Sequence, residues 1–280
     1  MITYRFYHIC ICYAKRNYFV KRQKMKKPNG AGKLEITPQL IFYAVKLIFR
    51  VAVVISVWAL YLTHRELIMV YMEQPYYKGI TIIHVIWLIF MGIMTLHLLS
   101  GTHIVDRLTM AIRKSKASVF VPVKDYDKLE LLEYVQDMNL KSWKVMLVWL
   151  GLNAVIGLLC VLEIFHTEEL LMCTVTFYLC DYVCILFFCP FQTFIMHDKC
   201  CVNCRIYDWG HFMMFTPMLF IKNFYSWSLF FMSCIVLLHW EIIYAKHPER
   251  FWEGSNQVLK CSSCKDKTCQ LKNVLKNALH

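Results

Sequence analysis

The stretch ITIIHVIWLIFMGIMTLHLLS, residues 80–100, contains no aspartate, glutamate, lysine or arginine. A helix needs about 20 mostly apolar residues to cross the hydrocarbon core of a bilayer, so this stretch predicts a membrane-spanning helix. The whole chain has a similar character, because 58% of its 280 residues are apolar and only 18% are charged. In soluble domains about a quarter of the residues are charged. The composition therefore indicates a membrane protein and excludes disordered, collagen-like, coiled-coil and secreted disulfide-rich chains.

Five other windows are candidates for crossing the bilayer. Four are long and apolar, and they cover residues 40–62, 145–165, 170–196 and 227–244. The remaining one, residues 206–224, has an apolar core of only ten residues, FMMFTPMLFI, which is interrupted by Thr216 and Pro217. Its length alone predicts a re-entrant half-helix that enters and leaves the membrane on one side.

The distribution of basic residues predicts the orientation of these windows, because cytoplasmic loops collect lysine and arginine. Nine basic residues precede residue 40, eight lie within residues 101–144 and seven follow Tyr244. By contrast, the loop after residue 62 carries two and the loop after residue 165 carries none. This alternation predicts that both chain ends are cytoplasmic, which requires residues 206–224 to cross the membrane as well.

The resulting prediction is an all-α polytopic membrane protein, a bundle of about six transmembrane helices with cytoplasmic N- and C-termini. The bundle covers residues 39–244, between a basic cytoplasmic segment at residues 1–38 and a cysteine-rich cytoplasmic tail at residues 245–280. An interfacial helix is predicted near residues 126–141, where Asp127 and Glu130 form a capping-box pattern and apolar residues follow at helical spacing.

This topology also explains most of the formal net charge of +12, because it places 26 of the 31 lysines and arginines on one side. Nucleic-acid binding would need a clustered, accessible basic stripe, and neither a phosphate-binding loop nor an aromatic platform accompanies the charge. We therefore predict a protein of the cell inner membrane that has the lipid bilayer, and no nucleic acid, as a partner.

Two short polar stretches are rich in cysteine. They read HDKCCVNC at residues 197–204 and CSSCKDKTC at residues 261–269, and they hold six of the fourteen cysteines. A Cys-x-x-Cys step lets two thiolates converge on one metal ion, and a second step completes a tetrahedral set. The predicted ligands are Cys201, Cys204, Cys261 and Cys264, with Cys200 and Cys269 as surplus ligands. If both intervening helices cross the membrane, the two stretches reach the same surface.

Three kinds of site fit this cysteine pattern. The vicinal pair Cys200 and Cys201 slightly favours an iron–sulfur cluster or a related iron site over structural zinc. A thiol–disulfide redox pair is the third possibility. Structural disulfides are disfavoured, because the cytoplasm keeps thiols reduced.

Histidines lie near the predicted cytoplasmic ends of several windows. His97, His211 and His239 are candidate cofactor ligands, because imidazoles from two helices can hold a haem b. Each histidine taken alone is better explained as an interfacial residue that bonds to a carbonyl group or to water.

Two carboxylates are predicted within the bundle, Asp181 and Asp208. Ionisable groups in hydrocarbon are costly, so they face the bundle interior and mark a site or a pathway. Asp181 is expected to be neutral, to pair with Asn153, or to take part in a proton or ion relay.

The leading functional prediction is electron transfer by a membrane redox subunit, with a Cys-ligated metal centre on its cytoplasmic face and a membrane or cytoplasmic redox protein as partner. The first alternative is a transporter or channel in which the cysteines hold structural zinc and Asp181 lines the path. The second is a non-catalytic membrane assembly protein. The sequence contains no nucleotide-binding or hydrolase motif.

Overall fold

The computed structural model describes residues 38–66, 68, 70, 80–99, 110–198, 200–264, 269 and 272. Within these ranges the chain is helical, and an isolated antiparallel bridge joins Pro122 to Asn256. The prediction of an all-helical chain is confirmed for this part of the protein.

The α-helices are separated by short 3-10 and π-helical turns. In chain order they are α1 (Pro38–Thr63), α2 (Ile82–Leu98), α3 (Met110–Arg113), α4 (Lys128–Val161), α5 (Thr167–Leu186), α6 (Gly210–Phe215) and α7 (Phe224–Lys246). The π-helical turn is Phe191–Met196, and 3-10 turns include Tyr207–Trp209, Thr216–Phe220, Pro248–Arg250, Gln257–Leu259 and Cys261–Ser263.

Four helices, α1, α4, α5 and α7, are long and apolar enough to cross a membrane. Helix α2 has 17 residues and is about 25 Å long at the standard rise per residue. Large apolar side chains on these helices face outward, for example Ile48 on α1 and Leu147 on α4, which are 69% and 65% exposed. Extended apolar surface of this kind is typical of helices that contact lipid.

Helix α5 ends ten residues before the predicted window 170–196 does. Pro190 explains the early end, because proline cannot donate a backbone hydrogen bond and disfavours helical geometry in the residue before it. The chain then turns through Phe191–Met196 and reaches His197, which has left-handed backbone geometry (φ 56°).

Helix α4 joins two elements that the sequence analysis separates. The interfacial helix predicted near residues 126–141 and the window 145–165 form one helix of 34 residues, and Asp127 caps it by accepting a hydrogen bond from the Leu129 amide at 2.8 Å. The two do not separate because the intervening stretch NLKSWKV contains neither glycine nor proline to break the helix. At about 51 Å, α4 is longer than the roughly 30 Å hydrocarbon core.

The window 206–224 is a broken helix rather than a continuous one. It consists of Tyr207–Trp209, α6 and Thr216–Phe220, and we call it the broken segment. It runs antiparallel to α7, because Trp209 donates to Glu241 near the end of α7 (2.8 Å) while the Leu219 carbonyl accepts from Trp227 near its start (3.2 Å). The broken segment therefore extends along most of the bundle.

The helices pack in two pairs. Helices α1 and α5 are antiparallel, with Tyr61 donating to Glu169 at 2.7 Å. Helices α2 and α7 are parallel, with Trp87 donating to Ser228 at 2.7 Å.

The segments before α4, before the broken segment and after α7 gather at one end of the bundle, which we call the loop end. Arg250 donates to the Ser115 carbonyl (3.0 Å), and the rings of Tyr134 and Trp252 stack at 5.9 Å. Asn203 donates to Glu253 at 3.2 Å. Both cysteine-rich stretches begin at this end.

Candidate functional site

A buried lysine holds the first cysteine-rich stretch in place. Lys114 is fully buried, and its ammonium group donates to the carbonyl oxygens of Val202 (2.7 Å) and Cys204 (2.8 Å). The rings of Trp240 and Phe251 lie 5.6 Å from the same nitrogen. The loop that carries Cys200, Cys201 and Cys204 is thus fixed by charged hydrogen bonds, which are stronger than neutral ones.

Burial shifts the protonation of the groups around this lysine. It lowers the pKa of Lys114 to about 8 and raises the pKa of Asp198 to about 6, although the Lys114 charge opposes the second shift. Burial also raises the pKa of the Cys204 thiol, which is hydrogen-bonded to Asp198. Because a thiol with a raised pKa stays protonated at neutral pH, Cys204 is a poor nucleophile.

A second lysine connects the tail to this loop. The ammonium group of Lys272 donates to the Cys201 sulfur (2.9 Å), the Cys184 carbonyl (2.9 Å) and the Gln192 side chain (3.0 Å). Burial raises the pKa of Cys201, and the Lys272 charge opposes that shift. The Cys201 sulfur therefore already has a positively charged partner, the Lys272 ammonium group.

The two cysteine-rich stretches meet at Cys200 and Cys269, whose side chains are hydrogen-bonded to each other. This bond lowers the pKa of Cys269 to about 7 and raises the pKa of Cys200. The charges of Cys264 and Cys261 also act on Cys269, so these two thiols lie nearby. Of the two thiols, Cys269 is therefore the one that more readily forms the thiolate, the reactive form of cysteine.

A second pair of thiols is in contact at the end of α5. Cys184 lies in the last turn of the helix, and its side chain is hydrogen-bonded to that of Cys189, which follows the helix. The sequence does not predict this pair. Pro190 signals only that the helix ends before Cys189, because proline disfavours helical geometry in the residue before it.

The predicted metal ligands are not assembled into one set. Within the described ranges, no group of three or more His, Cys, Asp or Glu side chains is arranged to hold a metal ion. Cys204 packs against Asp198, Cys201 contacts Lys272, and Cys261 is exposed. The combination of Cys201, Cys204, Cys261 and Cys264 thus does not fit a metal or an iron–sulfur cluster in this conformation.

A separate cluster of polar side chains lies deeper in the bundle. The His97 and His211 rings stack with centroids 4.9 Å apart, and His97 Nδ1 lies 3.5 Å from Asp208 Oδ1. Asp181 pairs with Arg50 at 3.1 Å. We call these five residues the polar cluster.

Asp181 pairs with Arg50 and not with Asn153, which the sequence suggested as its partner. Asn153 instead donates to the Trp149 carbonyl in its own helix (2.9 Å). The Arg50 guanidinium lies 4.0 Å from the Tyr178 ring and 3.9 Å from the Tyr182 ring. The long arginine side chain thus reaches across to α5, and the two rings shield its charge.

The structure does not bring the three predicted haem ligands together. His239 is exposed on the outer face of α7. The stacked rings of His97 and His211 leave no space for a haem between them, although a haem iron with two histidine ligands requires one imidazole on each face of the macrocycle.

Comparison of the chain with protein-family models, with curated proteins and with solved structures finds no match.

Proposed function

We propose that this chain is a polytopic membrane protein whose six crossings are α1, α2, α4, α5, the broken segment and α7. The four long apolar helices support the membrane placement. The antiparallel course of the broken segment against α7 supports a full crossing by residues 206–224 rather than a re-entrant one. The basic residues gathered at the loop end support a cytoplasmic position for that end.

The proposed activity is thiol–disulfide exchange at the loop end, with Cys200 and Cys269 as the reactive pair. The observation that carries it is the hydrogen bond between these two side chains, which joins the two cysteine-rich stretches and stabilises the Cys269 thiolate. A thiol pair in contact needs little movement to form a disulfide.

The reaction is a balanced exchange with a disulfide-bonded partner protein. The Cys269 thiolate attacks one sulfur of the partner disulfide, which releases the other sulfur as a thiolate and forms a mixed disulfide. Cys200 loses its proton to the released partner thiolate and attacks the Cys269 sulfur of the mixed disulfide. This step releases the second partner thiolate and leaves the Cys200–Cys269 disulfide, so the protein is oxidised by two electrons and the partner is reduced by two.

A metal centre is the second candidate for the same residues. The charges of Cys261 and Cys264 act on Cys269, which supports a set of Cys200, Cys261, Cys264 and Cys269 rather than the predicted one. Four thiolates would suit iron or zinc. Assembly of this set requires movement of the exposed Cys261.

Redox titration of the full-length protein in nanodiscs tests both candidates. Anaerobic samples are equilibrated with dithiothreitol buffers of defined potential, trapped with a thiol reagent and digested, and disulfides are identified by mass spectrometry. We expect a Cys200–Cys269 disulfide that is absent in Cys200→Ser and retained in Cys234→Ser, a control on α7.

The same preparation distinguishes the outcomes. A disulfide at Cys184–Cys189 alone, or none at any potential, would contradict the exchange proposal. Stoichiometric iron or zinc that is lost in Cys200→Ser and protects Cys261 from labelling would favour the metal centre.

A further inference from the structure

The polar cluster brings ionisable side chains from four parts of the chain together inside the bundle. Arg50 comes from α1, His97 from α2, Asp181 from α5, and Asp208 and His211 from the broken segment. The His97 and Asp208 side chains are only 9% and 12% exposed. None of the five belongs to the thiol site, so that site does not explain them.

The charges of the cluster do not balance without a proton. The two carboxylates contribute two negative charges and Arg50 contributes one positive charge, so neutral imidazoles leave the cluster with a net charge of −1. An unbalanced charge within hydrocarbon is expensive. One proton on the histidine pair would make the cluster neutral.

The geometry indicates where this proton resides. His97 Nδ1 is buried without a hydrogen-bond partner, as is His211 Nε2. The Nδ1 atom faces Asp208 Oδ1 at 3.5 Å, so a proton on His97 creates an ion pair with that carboxylate. The nearly parallel stacking of the two rings, at an interplanar angle of 20°, disfavours a second imidazolium because two positive charges would then lie face to face.

The other ionisable groups around the cluster have their own partners. The Tyr207 and Tyr43 hydroxyls lie 3.5 Å apart. On α7, Glu241 accepts hydrogen bonds from Arg205 and from Trp209. On α5, Tyr178 and Tyr182 cover the Arg50 guanidinium with their rings. On α1, Lys46 is exposed one turn before Arg50, and its ammonium nitrogen lies 4.2 Å from the centre of the Phe42 ring. The imbalance therefore rests on the five residues of the cluster.

We infer that the polar cluster is a binding site for one exchangeable proton, held between His97 and Asp208. The inference rests on the membrane placement of the bundle and not on the thiol chemistry. A single-proton site of this kind is the element that a proton-coupled membrane protein needs, because it alternates between a neutral and a singly charged state.

Nitrogen NMR of the full-length protein in nanodiscs, labelled with ¹⁵N-histidine, tests the inference. Signals of the pair are assigned from His97→Gln and His211→Gln. We expect one imidazolium per chain from this pair near pH 7 in the wild type. In Asp208→Asn the cluster balances without a proton, so the imidazolium signal should be lost, whereas Asp208→Glu should retain it.

Asp137→Asn is the matched control, because Asp137 pairs with Lys141 (2.6 Å) on α4 and not with the cluster. It should leave the histidine signals unchanged. Neutral imidazoles in the wild type throughout pH 5–8 would overturn the inference, as would an imidazolium that persists in Asp208→Asn. Failure of the thiol proposal would leave the NMR result unchanged, so the two proposals fail independently.

Discussion

At the residue scale, Lys114 determines how the cysteine-rich loop is held. Its ammonium group bonds to the carbonyl oxygens of Val202 and Cys204, and Lys114→Met removes both bonds. Removal of a buried charged donor costs about 1.5–3 kcal/mol per hydrogen bond. We expect Lys114→Met to lower the free energy of unfolding in mild detergent by about 3–6 kcal/mol and to expose Cys204 to alkylation. The exposed Lys124→Met is the control, and an equal effect of the two would refute the role of Lys114.

Asp198 makes stability depend on pH. Its pKa is about 6 in the folded protein because of burial, whereas an aspartate in an unfolded chain titrates near pH 4. The folded state therefore binds more protons between these values, and the stabilisation is complete below about pH 4 and lost as the pH rises through about 6. Relative to Asp198→Asn, wild-type stability should fall by about 1–3 kcal/mol from pH 4 to pH 7. Unfolding curves across this range measure the fall in stability, with Asp137→Asn as control. Parallel pH profiles for the wild type and Asp198→Asn would contradict the role of Asp198.

At the element scale, the broken segment depends on a glycine in the neighbouring helix. A Cβ atom at Gly157 of α4 would lie 2.7 Å from Cζ of Phe220, whereas a Cβ atom at Gly151 of the same helix would meet nothing within 4 Å. Overpacking of this kind costs about 1–3 kcal/mol. We expect Gly157→Val to lower the thermal unfolding temperature and Gly151→Val to leave it nearly unchanged. A similar loss in both variants would show that helix propensity, and not the Phe220 contact, is responsible.

The same elements show how far the sequence predicts the structure. The apolar windows identify α1, α2 and α7 within a few residues and the start of α5, because a long uncharged run has few alternatives to a buried or lipid-facing helix. The continuity of α4 is missed, since the change from an amphipathic to an apolar pattern is not itself a helix break. The cysteine spacing does not predict the Cys200–Cys269 contact, because it carries no information about Lys272, which donates to the Cys201 sulfur, or about Asp198, which is hydrogen-bonded to the Cys204 thiol. The Arg50–Asp181 pair is missed for a similar reason, as pairing across helices depends on packing.

At the scale of the whole molecule, the loop end and the opposite end must face different compartments if the broken segment crosses the membrane. Cys261 is exposed at the loop end, and Lys222 is exposed between the broken segment and α7. In the six-crossing arrangement, Cys261 is cytoplasmic and residue 222 is on the far side. A re-entrant segment would put residue 222 in the cytoplasm, because the chain would return to the side from which it entered, and α7 would then carry Cys261 to the far side.

An impermeant maleimide applied to intact cells and to inverted vesicles therefore decides the topology of residues 206–224. We expect Lys222→Cys to be labelled from outside intact cells, and Cys261 to be labelled only in inverted vesicles, with peptide mass spectrometry identifying each labelled residue. Glu163→Cys, in the short loop between α4 and α5, is the positive control for the far side. Labelling of position 222 only in inverted vesicles would exclude the sixth crossing. It would also separate the cytoplasmic thiol pair from the tail, because α7 would then carry Cys269 to the far side.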